Sequence, residues 1–567
     1  MRRTPMPSPV RSFVAFALAL VMTVAVAACG GSDTSADDNT PVNTLVIGAE
    51  QWPECINPIT QCSGASWLQW LVPIHVLPRL TELNEANEFV ASPLLTEMPT
   101  EANGGVSGEG KSFTITYRLD PKAVWDDGTP ITSEDVRFSW RAVLDTKGTL
   151  STAGYDKIRD VETPDPHTAV VRFTETYPDW PDVLGGYAGI ILQKSKFPAG
   201  TDVSKTMQTS IGFSGGPWKL ASFSADKSVL VPNKRYWDPA RRPKLDRVTF
   251  VPTTESATEV QALKTGQVSA IYPQPAPDLT PQLETSGIET AFGVTTQYEA
   301  LFMNLKEGRP FADPNVREAF SYAFDRNLFL EDIVKPFAPE TKLLECAAWV
   351  PGIGPWCPEE GGPWADVEPD PAKVEAAMAR SGYAKDSAGF WAKNGKRLVI
   401  GWSVTSGNAR REATQAEFIP LLAKQGFEIR TDNADADTFF QKRLPAGEYD
   451  LSMYINVASP DPAVSGLYGC DQIPGPANEG AGQNVSWFCD PEADRLMEVI
   501  DTTVDEGDRS TAVRQLDELL RKQFVLLPLN PFPALAAWRT DDVKGPVDRF
   551  INSPESVFWN LWEWERA

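Results

Sequence analysis

A chain of 567 residues cannot bury its apolar side chains around one centre. Single hydrophobic cores stop growing at about 250–300 residues, and longer chains divide into several lobes or domains. Apolar residues make up 42% of the chain, which is enough for a complete globular interior. Short apolar strands alternate with helical stretches along most of the sequence, and this alternation favours an α/β fold with two or more lobes.

The N-terminus has the pattern of an export signal. Three arginines come first, and an uncharged apolar run of 16 residues (13–28) follows, which is too short to span a membrane. The run ends in small residues directly before Cys29, as in a bacterial lipobox. We therefore expect residues 1–28 to be a signal peptide and Cys29 to carry lipid. The alternative is an ordinary signal peptide followed by a chance cysteine. Residues 29–40 are rich in Gly, Ser, Asp and Thr and predict a flexible tether.

The cysteine content agrees with export. The chain has seven cysteines, and six remain when Cys29 is set aside. Outside the cytosol, cysteines that lie close together persist as disulfides. Proximity favours one pairing, although other connectivities are possible. A metal site is the alternative, but the sequence has no C-x-x-C and only two histidines. The predicted disulfides are Cys55 with Cys62, Cys346 with Cys357, and Cys470 with Cys489.

The charge of the chain and one glycine-rich segment bear on nucleotide and nucleic-acid binding. The formal net charge is −24, so we expect no nucleic-acid partner, because phosphates require clustered Lys and Arg. Residues 105–112 match the letters of a phosphate-binding P-loop. That loop needs a buried strand before it and a helix after it. Here a polar loop comes first and the alternating strand Phe113–Leu119 comes next, so the sequence predicts a hairpin turn.

A second motif suggests a hydrolase and is rejected on the order of its partners. Ser214 lies in a G-x-S-x-G segment, the nucleophile elbow of α/β-hydrolases. Those enzymes need a histidine after the serine, and both His75 and His167 precede Ser214. A serine without a base is a weak nucleophile. We therefore expect no catalytic residue, metal or cofactor, and we expect that the protein is not an enzyme.

Several helices have recognisable ends in the sequence. Three predicted helix starts have a capping residue, which is Ser133 or Thr132 at the first, Asp313 at the second and Asp370 at the third, where acids and hydroxyls satisfy free N–H groups. Residues 514–524 predict a late helix, and the apolar segment 525–529 after it predicts an isolated strand.

Several separate segments resemble one family, the extracellular solute-binding proteins of family 5, which are the peptide and nickel receptors of ABC importers. Each motif alone is weak, but their joint order over nearly the whole mature chain is specific. The matching segments are Asn57-Pro58, Trp125 to Ser139, Gly216 to Leu220, Asn233 to Asp238, Met303-Asn304-Leu305, Pro310 to Asp313, and Val316 to Arg326.

The resemblance implies a two-lobed, hinged, periplasmic-binding-protein-like α/β fold with an extra subdomain on lobe one. Two chain crossings, near 292–294 and 526–528, are expected to form the hinge. The implied boundaries are 41–80, 178–290 and 525–567 for lobe one, 81–177 for the extra subdomain and 291–524 for lobe two.

The resemblance also implies a function. The protein is expected to capture a peptide or peptide-like solute between its lobes and deliver it to membrane permease subunits of an ABC importer. It is expected to act as a monomer, held by its N-terminal lipid to the outer face of the cell membrane. The alternative is a solute sensor that signals to a membrane protein.

The ligand is the least determined part of the prediction. Peptide receptors of this family hold the peptide amine with an acid four residues before a proline near the cleft. With Pro462 as that proline, Ala458 stands where the acid should be. Standard amine recognition is therefore not expected, and Asp461 is close but out of register. The residues predicted to line the cleft are Trp52, Tyr298, Trp402, Asn456 and Asp461.

Overall fold

The computed structural model of the protein describes residues 43–63, 67–186, 189–478, 480–550 and 556–567. The predicted signal peptide, Cys29 and the predicted tether lie outside the described residues. Among the described residues, no helix combines the length and the apolar character needed to cross a membrane.

Three α-helices begin where the caps predict, and the predicted late helix, 514–524, begins earlier, at Glu506. Asp313 accepts a hydrogen bond from the backbone N–H of Asn315 at 3.0 Å, and Asp370 accepts from those of Ala372 and Lys373. At the predicted start near Ser133, Thr132 is the capping residue, and its N–H donates to Asp135 at 2.9 Å. The helices are α1 (Trp67–Val76), α2 (Ser133–Asp145), α3 (Ser256–Lys264), α4 (Pro314–Ala323), α5 (Arg326–Phe329), α6 (Pro371–Arg380), α7 (Ala409–Lys424), α8 (Leu444–Ala446), α9 (Ser465–Tyr468), α10 (Pro491–Thr502) and α11 (Glu506–Gln523).

The strands are mostly short, with two exceptions that are more than twice the usual length. In chain order, the first are β1 (Thr44–Ala49), β2 (Thr81–Leu83), β3 (Phe89–Ala91), β4 (Val106–Ser107), β5 (Thr114–Arg118), β6 (Ile158–Asp165), β7 (Thr168–Phe173), β8 (Trp218–Phe223), β9 (Ser228–Pro232), β10 (Arg247–Pro252) and β11 (Ala270–Ile271). The remainder are β12 (Ile288–Met303), β13 (Ala384–Lys385), β14 (Trp391–Lys393), β15 (Lys396–Arg397), β16 (Val399–Ser403), β17 (Glu428–Thr431), β18 (Leu451–Val457), β19 (Leu526–Arg539), β20 (Val543–Lys544) and β21 (Glu565–Arg566).

One ten-stranded sheet connects the two halves of the described chain, in the order β17-β16-β18-β12-β19-β11-β1-β10-β9-β8. The two long strands, β12 and β19, lie side by side at its centre and pair antiparallel from Ile288 opposite Arg539 to Phe302 opposite Leu526. Their register shifts between Val294 and Tyr298. Such an irregularity bends and twists a strand locally.

The apolar side chains gather in two main cores. The first core contains residues of 45–272 and 532–564, and the second contains residues of 298–529. Both β12 and β19 contribute to each core, so the chain passes from one core to the other within these strands. On β19 the change falls between Leu529 and Phe532, and the segment 525–529, expected in lobe one, packs in the second core.

A separate four-stranded sheet, in the order β4-β5-β7-β6, carries the glycine-rich segment 105–112. Val106 pairs with Ile115 and Ser107 with Thr114, so the segment forms the predicted hairpin turn. Gly108 has φ +76°, and an added Cβ there would lie 2.2 Å from the carbonyl oxygen of Ser112. The glycine is thus explained by turn geometry.

Three disulfides are present, and they join the pairs that sequence proximity predicts. Their Cα–Cα distances are 5.7 Å for Cys55–Cys62, 6.0 Å for Cys346–Cys357 and 4.7 Å for Cys470–Cys489. Each lies within the usual range for a bridge.

Candidate functional site: a cavity between the two cores

A cavity of about 460 Å³ lies between the two cores. This volume is within the range of small-molecule binding sites. Both halves of the chain contribute to it. The lining residues between 50 and 274, together with Phe532, form what we call the first wall, and those between 297 and 486 form the second wall. The first wall includes Glu50, Tyr155, Tyr177, Asp179, Asp182, Tyr272, Gln274 and Phe532, and the second wall includes Gln297, Phe302, Trp349, Arg411, Phe440, Tyr454, Asn456, Ala458, Asp461, Gly466 and Tyr468.

The centre of the second wall is the end of β18 and the loop 458–464 that follows it. Two tryptophans hold this loop in place, of which Trp349 is buried and Trp356 is partly buried. The indole N–H of Trp349 donates to the carbonyl of Pro462 at 3.2 Å, and that of Trp356 donates to the carbonyl of Pro460 at 2.8 Å. The loop therefore presents its side chains to the cavity from a rigid backbone.

Asp461 in this loop is already paired. It accepts a hydrogen bond from Arg509 at 2.6 Å, and the two side chains are 10% and 7% exposed. It also accepts from the backbone N–H of Ala463 at 3.0 Å, so Asp461 caps the turn after it. Arg509 in turn donates to the carbonyl of Ile500 at 2.9 Å. The charge of Asp461 is therefore compensated within the protein.

The first wall brings two further acids to the same region. Asp179 and Asp182 lie in a run of tight turns at 177–186, where the N–H of Asp182 donates to the carbonyl of Asp179 at 3.1 Å. The apolar residues between and after them, Trp180, Val183 and Leu184, are buried in the first core. Asp179 and Asp182 line the cavity, and Val183 beside them contacts both the cavity and the first core.

These acids influence one another. Burial, together with the charges of Asp461, Asp182 and Asp501, raises the pKa of Asp179 well above its usual range, although Arg509 opposes the shift. Burial and the charge of Asp461 raise the pKa of Asp182 to about 7, against the opposing effect of Arg79. Burial is also the main reason that the pKa of Asp501 rises to about 7. This end of the cavity has more carboxylates than cations.

Elsewhere on the cavity, a buried ion cluster joins β12 to the start of α7. Glu299 binds Arg411 at 2.7 Å and also binds Arg410, and all three side chains are essentially inaccessible to solvent. Arg410 donates to Gln274 at 3.2 Å, and Asn408 donates to the same side-chain oxygen at 2.7 Å. Gln274 belongs to the first wall, so the cluster connects the two halves of the chain.

The comparisons with known proteins agree with this architecture. The family model of the bacterial extracellular solute-binding proteins, family 5 (middle region), matches residues 103–474. The chain belongs to this family. The oligopeptide-binding protein OppA of Mycobacterium tuberculosis (strain H37Rv) is 24% identical over 434 residues, which are 75% of this chain and 70% of that protein.

Two solved structures of binding proteins share the fold. The oligopeptide-binding protein AppA of Bacillus subtilis, in complex with a nonapeptide, superposes with a TM-score of 0.79 at 19% identity, covering 93% of this chain and 100% of that one. NikZ of Campylobacter jejuni, in complex with Ni(L-His), gives a TM-score of 0.77 at 18% identity, covering 92% of this chain and 99% of that one. The predicted two-lobed α/β fold of a periplasmic binding protein is thus confirmed. The fold alone does not select one ligand, since these two proteins bind different ones.

For this family 5 protein, the structure brings two of the five predicted cleft residues to the cavity, Asn456 and Asp461. Trp52 lies instead on a smaller cavity of about 310 Å³, where its indole stacks on Phe223 with ring centroids 5.9 Å apart. Tyr298 and Trp402 have no solvent exposure and belong to the second core. These two residues do not line the cavity described here, because their side chains pack inside the second core.

Aromatic residues do line the cavity, but they are not the three aromatic residues that were predicted from the sequence. The aromatic residues on the cavity are Tyr155, Tyr177, Tyr272, Phe302, Trp349, Phe440, Tyr454, Tyr468 and Phe532. In the segment 177–184 the two acids stand three positions apart among large apolar residues. Sequence reasoning missed it because nothing local shows that Asp179 and Asp182 meet Asp461.

Ser214, the serine of the hydrolase-like motif, is fully buried. Its hydroxyl is 2.6 Å from the carbonyl oxygen of Trp218 and 2.9 Å from that of Val76, and it supports a turn. Within the described part of the chain, no cluster of three or more His, Cys, Asp or Glu residues is arranged to hold a metal ion.

Proposed function

We propose that the protein is the solute receptor of an ABC importer and that its solute is a peptide or a peptide-like molecule. The observation that carries this proposal is the cavity between two cores that are joined through β12 and β19. A cavity at such a junction can close over a ligand when the lobes rotate about the shared strands. The curated relatives include the mycobacterial oligopeptide-binding protein, which supports a peptide as the solute.

The walls suit a peptide. Aromatic side chains provide apolar surface, and Asn456 offers an amide that can both donate to and accept from a peptide backbone. We propose lobe one as 41–80, 178–290 and 525–567, the extra subdomain as 81–177 and lobe two as 291–524, with the segment 525–529 at the start of β19 packing in the second core where the chain crosses between the lobes. Ligand binding stabilises the closed arrangement, and the closed receptor then docks on the permease subunits of the importer.

The N-terminal segment bears on the cellular location of the receptor. We propose that residues 1–28 are removed, that Cys29 carries the lipid and that residues 29–40 tether the receptor, as a monomer, to the outer face of the cell membrane. Two acyl chains anchor a protein stably, whereas one does so only marginally. The variant Cys29→Ala is expected to leave the membrane fraction. If it stays there after a salt wash, the anchor is not the lipid on this cysteine.

The solute assignment is tested by mass spectrometry of ligand that is carried through native purification, followed by calorimetry with the synthetic compound. Gly466 supplies a variant that blocks the cavity. An added Cβ at Gly466 would lie 3.6 Å from the Cβ of Ala153, so a phenylalanine there fills the space between the walls. Gly466→Phe is expected to abolish ligand binding. Gly212→Phe is the matched control, because an added Cβ at Gly212 has no neighbour within 4 Å. Recovery of a non-peptide ligand, or retention of binding by Gly466→Phe, contradicts the proposal.

A further inference from the structure

We infer that the solute carries a cationic group, an ammonium or a guanidinium, and that this group binds beside Asp179 and Asp182 of the first wall, opposite Asp461. The inference rests on the proposed function, and it names the part of the solute that this end of the cavity recognises.

Asp179 provides the main observation. Its side chain faces the cavity although the residue is only 9% exposed, and its Oδ1 has no hydrogen-bond partner among the described residues. A buried carboxylate oxygen without a partner is costly, and proteins keep such groups rarely. A ligand that donates hydrogen bonds and carries positive charge would satisfy this oxygen.

The charges around Asp179 favour a cation over any other group. Its electrostatic neighbours are Asp182, Asp461 and Asp501 on the acidic side and Arg509 on the basic side. Arg509 is already bound to Asp461 at 2.6 Å. Arg79, which faces Asp182, lies 3.8 Å from Glu82 and donates to the carbonyl of Gly186 at 3.0 Å. Burial and the neighbouring acids raise the pKa values of Asp179 and Asp182, and a bound cation would stabilise the ionised forms of both carboxyls.

An organic cation fits better than a metal ion. Among the described residues, no set of three or more acidic, histidine or cysteine groups is placed for metal coordination. The same end of the cavity carries Tyr155 and Tyr177, whose rings can contact an extended apolar stem. Ammonium and guanidinium groups are carried on such stems, and the group can come from a peptide N-terminus or from a lysine or arginine side chain.

The site is first tested without assuming that the solute is a peptide. Argininamide is the cationic probe, and citrullinamide blocked at its amine is the neutral probe of similar shape. Argininamide at millimolar concentration is expected to raise the Tm of the protein, and the neutral probe is not. Asp179→Asn is expected to lose the rise. Asp278→Asn is the matched control, since it removes an exposed carboxylate that does not line the cavity. Equal shifts with both probes overturn the inference. So does a shift with calcium chloride that depends on Asp179 when argininamide gives none.

The second test uses the peptide that is most enriched on the protein from an elastase digest of casein. It is synthesised with a free or acetylated N-terminus, and with its basic side chain intact or replaced by a neutral isostere. Neutralising one of these groups is expected to weaken binding about tenfold or more in the wild type and less than about threefold in Asp179→Asn. The group that matters identifies the source of the cation. Equal affinity of all four forms overturns the inference and leaves the proposed function standing. Failure to recover any peptide contradicts the peptide assignment, while the argininamide result still decides the cation site.

Discussion

Asp461 and Arg509 form an ion pair at the base of the cavity, with Oδ1 and an arginine nitrogen 2.6 Å apart. The pair explains why Asp461 does not replace the acid that is missing at Ala458. Its charge is compensated, and its other hydrogen bond goes to the backbone at Ala463. Arg509 therefore limits the repulsion between Asp461 and the two acids of the first wall.

The first prediction concerns this pair. Arg509→Gln leaves Asp461 next to Asp179 and Asp182 without its cation, and it is expected to destabilise the protein by about 3–5 kcal/mol at pH 8. Urea unfolding measures the change. Arg495→Gln is the control, because the pair of Arg495 with Glu492 at 2.6 Å is more than half exposed, and it should cost less than about 1 kcal/mol. An equal loss of unfolding free energy in the two variants would show that the buried pair stabilises the protein no more than the exposed pair does.

The second prediction concerns pH. The pKa values of Asp182 and Asp501 are raised to about 7 in the folded protein, chiefly by burial. Between about pH 4 and pH 7 the folded state holds protons that the unfolded state has released, so stability falls as the pH rises through this window. The apparent Tm without ligand is expected to be higher at pH 5 than at pH 8.

Replacing one of these two carboxyls tests the predicted pH dependence. Asp182 faces Asp461 and Arg79, while Asp501 faces Ser465, Asp461, Lys157 and Arg509. Asp501→Asn is expected to flatten the pH dependence. Some slope will remain, because burial also raises the pKa of Asp517 to about 7. A Tm that rises steadily from pH 5 to pH 8 in the wild type contradicts the prediction.

The third prediction separates core aromatics from cavity aromatics. Trp402 is fully buried and packs edge-on against Phe324 with ring centroids 6.4 Å apart. Trp402→Ala is expected to cost about 3–5 kcal/mol of stability and to leave the ligand affinity of the folded protein unchanged. Phe440→Ala, which alters the cavity, is expected to weaken ligand binding. Calorimetry and urea unfolding on both variants check this. A loss of ligand affinity in folded Trp402→Ala would show that Trp402 contributes to ligand binding and would contradict the prediction.

The fourth prediction concerns the bridge between Cys470 and Cys489. It closes a loop that includes the cavity residues Gly482, Val485 and Ser486. Replacing both cysteines by serine is expected to destabilise the protein by about 3 kcal/mol in the chain-entropy model and to weaken ligand binding. Peptide mass mapping without reduction checks the pairing. Free thiols at these positions in the exported protein would contradict it.

Local features were predictable because their causes lie within a few residues. The caps at Asp313 and Asp370 act on N–H groups two or three positions later, and the hairpin at 105–112 follows from glycines and an alternating strand. The three disulfides join cysteines at most 19 positions apart.

The cavity depends on contacts that no local pattern contains. Trp402 was predicted to line the cleft, but strands in the interior of an α/β fold are covered on both faces, and the sequence of β16 does not show which side chain reaches a cleft. Asp179 and Asp461 are separated by more than half of the described chain and meet only because β12 and β19 place one core opposite the other. The sequence by itself determined the family, the α/β class and the local elements. The tertiary structure alone decided which carboxylates share the cavity, because the energy of a buried charge depends on neighbours in space and not on neighbours along the chain.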